Sequence, residues 1–77
     1  MEHNHYFKDV SRYDVIDVYR VLTIFGVFSP PLQHAIKKLL CAGARGYKDE
    51  VQDLREAIDS ILRAIEMIEE DAHHDKA

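Results

Sequence analysis

Between Asp17 and Asp49 the chain has no carboxylate, although Asp and Glu outnumber Lys and Arg by 14 to 10 overall and the formal net charge is −4. Cysteine occurs once, at Cys41, which excludes an internal disulfide framework and suits a reducing compartment. No apolar run reaches membrane-spanning length, the longest candidate being Val21 to Phe28, and nothing reads as a signal peptide. The expectation is a soluble, cytoplasmic protein. There is no Gly-x-x-x-x-Gly-Lys-Ser/Thr loop, no Gly-x-Ser-x-Gly elbow and no His-Glu-x-x-His pair. The signatures of phosphate-loop, serine-hydrolase and zinc-protease chemistry are therefore missing. The acidic balance argues against a protein that coats nucleic acid. Internal repeats and domain linkers are missing too.

What the chain does contain is helical periodicity. At 77 residues it makes one domain, near the size where a single core supplies only ~3–5 kcal/mol of net stability. The pattern predicts an all-α fold: a 1–10 N-terminal arm, a single three-helix domain over 11–70 and a polar 71–77 tail. Ser11 with Asp14 resembles a capping box, and Val15, Val18, Leu22 and Phe25 follow at helical spacing. Ile16, Tyr19, Val21 and Ile24 make this first helix apolar over most of its circumference, so several faces need cover. Gly26 ends it. Ser29-Pro30-Pro31 starts the second helix, which runs to about Ala42 with Leu32, Ala35, Ile36, Leu39 and Leu40 inward. Cys41, among apolar neighbours, reads as a buried structural thiol. Gly43 or Gly46 supplies the left-handed stop.

The third helix is expected from about Asp49, with Gln52 as capping partner. Val51, Leu54, Ile58, Ile61, Ile65 and Ile68 form a heptad seam, widened by Ala57, Leu62 and Ala64. Roughly twenty residues make a rod of ~30 Å that outreaches its own bundle. That overhang and the apolar first helix predict a homo-oligomeric helical bundle. Glu66, Glu69, Glu70, Asp71 and Asp75 read as a solvated, repelling helix end. His73 and His74 point about 100° apart on a helix, and His3 and His5 lie on an arm without cysteine, so no metal site is expected.

Four of the ten basic residues (Lys37, Lys38, Arg45, Lys48) fall in the stretch ending at Lys48, around the Gly43-x-x-Gly46 turn that opens the third helix. An amide-rich turn at a helix start, flanked by Lys and Arg, is a place where a phosphate can sit. The same charges are also ordinary helix-dipole chemistry, with cations at one helix end and Asp49 and Glu50 at the next start. Both readings stand at this point.

Several segments resemble a small all-helical phage family named after a podophage nucleotide kinase. They are His5-Tyr6, Asp14-Val15-Ile16-Asp17, Ala35-Ile36-Lys37-Lys38-Leu39-Leu40, Ala42-Gly43, Arg45-Gly46 with Lys48, and above all Asp53-Leu54-Arg55-Glu56-Ala57-Ile58. The similarity covers about residues 5 to 68. Two positions depart from the family pattern: Gln33-His34 stand where it tends to carry Gly-Asn, and Cys41 where it often carries Arg. The resemblance implies a phage origin, hence a host-cell cytoplasmic location, and a nucleotide-type ligand. It implies that Lys37, Arg45 and Lys48 contact phosphates, with Gly43 and Gly46 allowing close backbone approach. His5 and Tyr6 would close over the ligand. Asp53 would orient Arg45 or Lys37, or bind a ribose hydroxyl or a metal. Tyr47 would stack on a base or serve as a surface turn residue.

Three functional classes follow. The first is a nucleotide-binding protein that sequesters a nucleotide signal during infection, an anti-defence role, with its site near subunit interfaces. The second is a small nucleotide kinase acting on nucleoside monophosphates, for which magnesium would be the cofactor. The third is a helical interaction module without a small ligand. The basic Gly-turn offers binding chemistry while no catalytic apparatus is evident, so the first is the leading expectation.

Overall fold

Two prolines and three glycines with positive φ separate the helices of this chain. A computed structural model describes residues 4–76, with side chains described for residues 5–73. Expectations placed on residues 1–3, on Ala77 and on the side chains of His74 and Asp75 lie outside the described residues. After a 3-10 turn at Asn4–Tyr6 come α1 (Val18–Ile24), α2 (Pro30–Leu40) and α3 (Tyr47–Lys76). The fold is all-helical, with no strand among the described residues. Among the described residues no helix is long and apolar enough to cross a membrane.

Each boundary has a local cause. The Asp17 side chain caps α1 by accepting from the Arg20 amide at 2.9 Å. At its other end Gly26 takes φ 70°, and the Gly26 and Val27 amides donate back to Thr23 and Leu22. That pair of bonds is a Schellman stop, and it requires the left-handed residue that glycine supplies. Ser29 precedes α2, and prolines fill its first turn, where missing amides cost nothing. Gly43 (φ 78°) and Gly46 (φ 137°) shape the turn into α3.

Several boundaries differ from expectation. The first helix begins at Val18, because the Ser11 amide donates to Asp9 at 2.9 Å and the Tyr13 amide to Val10 at 3.0 Å, closing a turn where a capping box was expected. Val15 and Ile16 therefore precede the helix and lie exposed, and α1 is shorter and less apolar around its circumference than predicted. Helix α2 stops at Leu40, and α3 starts at Tyr47 with Gln52 donating to Glu56 at 2.6 Å. The 30 residues of α3 make a rod of ~45 Å, so the helix continues through the segment expected as a tail. Its acidic end is partly paired: Arg63 reaches Glu66 at 3.1 Å and Glu70 at 2.9 Å.

Helices α2 and α3 form an antiparallel hairpin, and α1 packs on α2 but not on α3 among the described residues. The direction follows from two cross-links, Lys38 with Asp53 and His34 with Ser60. Between them Ala35 and Ala57 lie at matching heights, and both are buried. Small side chains let two helices approach near the lower end of the usual ~8–10 Å range. The α3 face turned to α2 is thus Asp53, Ala57, Ser60, Ala64 and Met67, all buried or half-buried. The expected seam from Val51 to Ile68 is exposed instead, with Ile58 at 56 %. Both stripes have heptad spacing and lie ~110° apart at ~100° per residue. The alanine face is the one that allows close approach and also brings Asp53 to its cations. On α2 the expectation fails in the same way: Ala35 is buried and Ile36 half-buried, but Leu32, Leu39 and Leu40 are exposed.

Candidate functional site

The hairpin ends in a charged cluster built around one carboxylate. Asp53 is 5 % exposed, and its Oδ1 accepts from Lys38 Nζ and from Arg45, each at 3.2 Å. Its Oδ2 accepts from the Gly43 amide at 3.4 Å. Lys38 also pairs with Glu56 at 2.6 Å, and Arg45 approaches Asp49 at 3.8 Å. Burial pushes the Asp53 carboxyl up, but hydrogen bonds from Lys38 and Gly43 and the charges of Lys38 and Arg45 outweigh it. The net result lies below the ordinary carboxylate value. Glu56 is lowered by its hydrogen bonds from Lys38 and then Gln52, and the Lys38 ammonium is raised by Glu56 and then Asp53. All three groups are charged at neutral pH.

Beside this cluster lies a groove of about 450 Å³ lined by Val18, His34, Lys37, Lys38, Cys41, Ala44, Arg45 and Asp53. That volume falls within the ~300–1,000 Å³ of small-molecule pockets. A second hollow of about 300 Å³ continues past His34 and Lys37 to Tyr19, Leu22 and Thr23. Lys37 stands with its Nζ 5.3 Å from the centre of the Tyr19 ring. Three cations and one carboxylate line the first groove, so its wall is net positive in a chain of net charge −4. No group of three potential metal ligands occurs among the described residues.

Of the residues expected at the site, Lys37, Arg45 and Asp53 converge on this groove. Asp53 engages Arg45 as one expectation had it, and its lysine partner is Lys38 in place of Lys37. Gly43 lies behind the groove, with its amide on Asp53 and the Glu50 side chain 3.0 Å from where a Cβ would sit. Gly46 borders open space, and Tyr47 and Lys48 are exposed on the first turn of α3, outside the lining. The His5 and Tyr6 rings lie 4.1 Å apart, tilted at 46° to each other, in the exposed N-terminal turn and do not line the groove.

Five lining residues escaped the sequence reading: Val18 and Ala44, which add apolar wall, and Lys38, His34 and Cys41. Lys38 was the neighbour of a chosen lysine, and only the rotation of α2 separates them. Once Ala35 is known to face α3, position 38 lies ~60° from the contact and position 37 ~160° away. His34 is on the same side and shares a 2.6 Å hydrogen bond with Ser60. Cys41, expected to be buried, is exposed because α2 has already ended at Leu40 and the residue turns to the groove. Comparison with family models, curated proteins and solved structures finds no match.

Proposed function

We propose that this protein binds a phosphorylated, nucleotide-type ligand in the groove between α1, α2 and the turn that leads into α3. The observation carrying this reading is the convergence of Lys37, Lys38, Arg45 and His34 on one groove with a single carboxylate. Charge-assisted bonds from such side chains suit phosphate oxygens. The Tyr19 ring beside Lys37 offers a face for a base. The phage-family resemblance points to the same ligand class, and sequestration of a nucleotide signal is the role it suggests. Binding is favoured over phosphoryl transfer by the state of Asp53. It is the groove's one carboxylate, and Lys38, Arg45 and the Gly43 amide already occupy it, which leaves little capacity to hold magnesium.

Calorimetry against mono-, di- and cyclic nucleotides tests the proposal. Lys37 has no ion pair among the described residues, so its loss removes a ligand contact without breaking the hairpin. Lys37→Ala is expected to weaken binding about 10- to 100-fold, since a charged hydrogen bond is worth ~1.5–3 kcal/mol. Helical circular dichroism stays unchanged. Arg63→Ala, remote on α3, is the control and stays near wild type. Absence of binding across the panel, or an equal loss in Arg63→Ala, refutes the reading. Turnover of nucleoside monophosphates with ATP and magnesium at roughly 1–100 per second would replace it by the kinase.

A further inference from the structure

The hairpin has two different edges. Counting rotation from the buried Ala35 and Ala57, Lys38 on α2 lies ~60° and Glu56 on α3 ~100° to the same side, and they meet at 2.6 Å. The groove opens on that edge. In an antiparallel pair, rotation of the opposite sign on both helices leads to the other edge. There α3 presents its aliphatic stripe, and α2 presents Leu32 and Leu39, all exposed. Helix α1 does not cover this edge, since it packs on α2 alone and contributes to the groove side. Few large apolar side chains are buried among the described residues: Leu22 stands there with three alanines as the buried hydrophobic core. The larger aliphatic surface is the exposed one.

We infer that this edge is the interface with a second copy of the chain, paired so that the two α3 helices run antiparallel. Val51, Leu54, Ile58, Ile61, Ile65 and Ile68 repeat at intervals of 3, 4, 3, 4 and 3, which is the spacing of a self-pairing seam. The charges beside it select the direction. Arg55 flanks the N-terminal half of the seam and Glu69 its C-terminal end, on the same side of the helix. Antiparallel pairing with Val51 against the partner copy's Ile68 brings Arg55 to within ~7.5 Å along the axis of the partner copy's Glu69. Both side chains lean toward their own N-termini and so toward each other. Parallel pairing would instead gather Glu69 and Asp71, the acids that flank the end of the seam, from both copies at one end. Leu32 and Leu39 then close over the partner, and two hairpins make a four-helix layer with both grooves facing outward.

Sedimentation equilibrium of the intact chain at tens of micromolar is expected to give a dimer, and Ile61→Asp to abolish it. Because that variant can also unfold, direction is read independently in a Cys41→Ser background. A mixture of Val51→Cys and Ile68→Cys chains should link readily through a short bismaleimide, giving the mixed dimer. Val51→Cys alone should not link, since its two copies lie ~26 Å apart in the antiparallel pair. A folded monomer at that concentration, or efficient self-linking of Val51→Cys alone, overturns the inference. Either result would leave the groove reading untouched, because the groove lies on the opposite edge.

Discussion

Ala57→Leu tests the central feature of the hairpin, the burial of small residues in preference to large ones. Ala57 is 1 % exposed, and the Lys38–Asp53 and His34–Ser60 links set it at the height of the buried Ala35 on α2. Three added carbons have no space there. Either the leucine adopts a strained rotamer or the helices move toward the ~10 Å separation that larger contacts require. Overpacking of this kind costs ~1–3 kcal/mol. Separation would also stretch the 3.2 Å link from Lys38 to Asp53 one turn away. Taking ~2 kcal/mol, and ~4–8 °C per kcal/mol for a domain of this size, the melting temperature should fall by ~8–16 °C. The assay is thermal denaturation by circular dichroism at one fixed protein concentration, since dimerisation would make the midpoint concentration-dependent. Ala72→Leu, the same change at an exposed position of the same helix, is the control and should stay within ~0.5 kcal/mol of wild type. If Ala57→Leu melts at or above the wild-type temperature, the alanine face is not the hairpin contact. The isoleucine stripe would then be turned inward.

Two further outcomes follow from the turn and its charges. Gly43→Ala should destabilise the fold by roughly 1–2 kcal/mol, from a left-handed φ of 78° together with a Cβ placed 3.0 Å from Glu50; a melt unchanged from wild type would contradict that backbone. Asp53 and Glu56 are held below their ordinary values of 3.8 and 4.5, so the stability they contribute is present above those values and is lost as pH falls through the lowered ones. Lys38, raised above 10.5, acts oppositely: its contribution is full below that value and disappears as pH climbs through the raised one. Melting across the acid range should show the loss in wild type and a shallower one in Asp53→Asn, and equal slopes in the two would refute the assignment.

The number and order of helices were legible in the sequence because their punctuation is local. Ser29-Pro30-Pro31 and Gly26 act within a few residues of themselves, and both appear where expected. The start of α1 was not legible, because Ser11 and Asp14 look the same in a turn as in a capping box. Only the bond from Ser11 to Asp9 distinguishes them. The inward face of α3 was hidden for a different reason. Two heptad stripes coexist on this helix, and hydrophobicity ranks the isoleucines above the alanines. The alanine stripe wins within the chain because close approach and the ion pairs of Asp53 belong to the same face, and neither appears in a scale of side-chain transfer.

The site was half legible for a related reason. Charge clustering located the basic turn, and Asp53 was singled out as a residue that could orient Arg45, as it does. Clustering alone cannot divide cations that hold the fold from cations that remain available to a ligand. Lys38 and Arg45 are committed to Asp53, Glu56 and Asp49, whereas Lys37 leans over an aromatic ring. A phosphate entering the groove would therefore compete with Asp53 for Lys38 and Arg45 and meet Lys37 without such a rival. The Gly43 amide, the donor that first marked the turn as a phosphate seat, already serves the Asp53 carboxylate. In this chain the anion at the mouth of the turn is built in, and the proposed ligand would take the groove beside it.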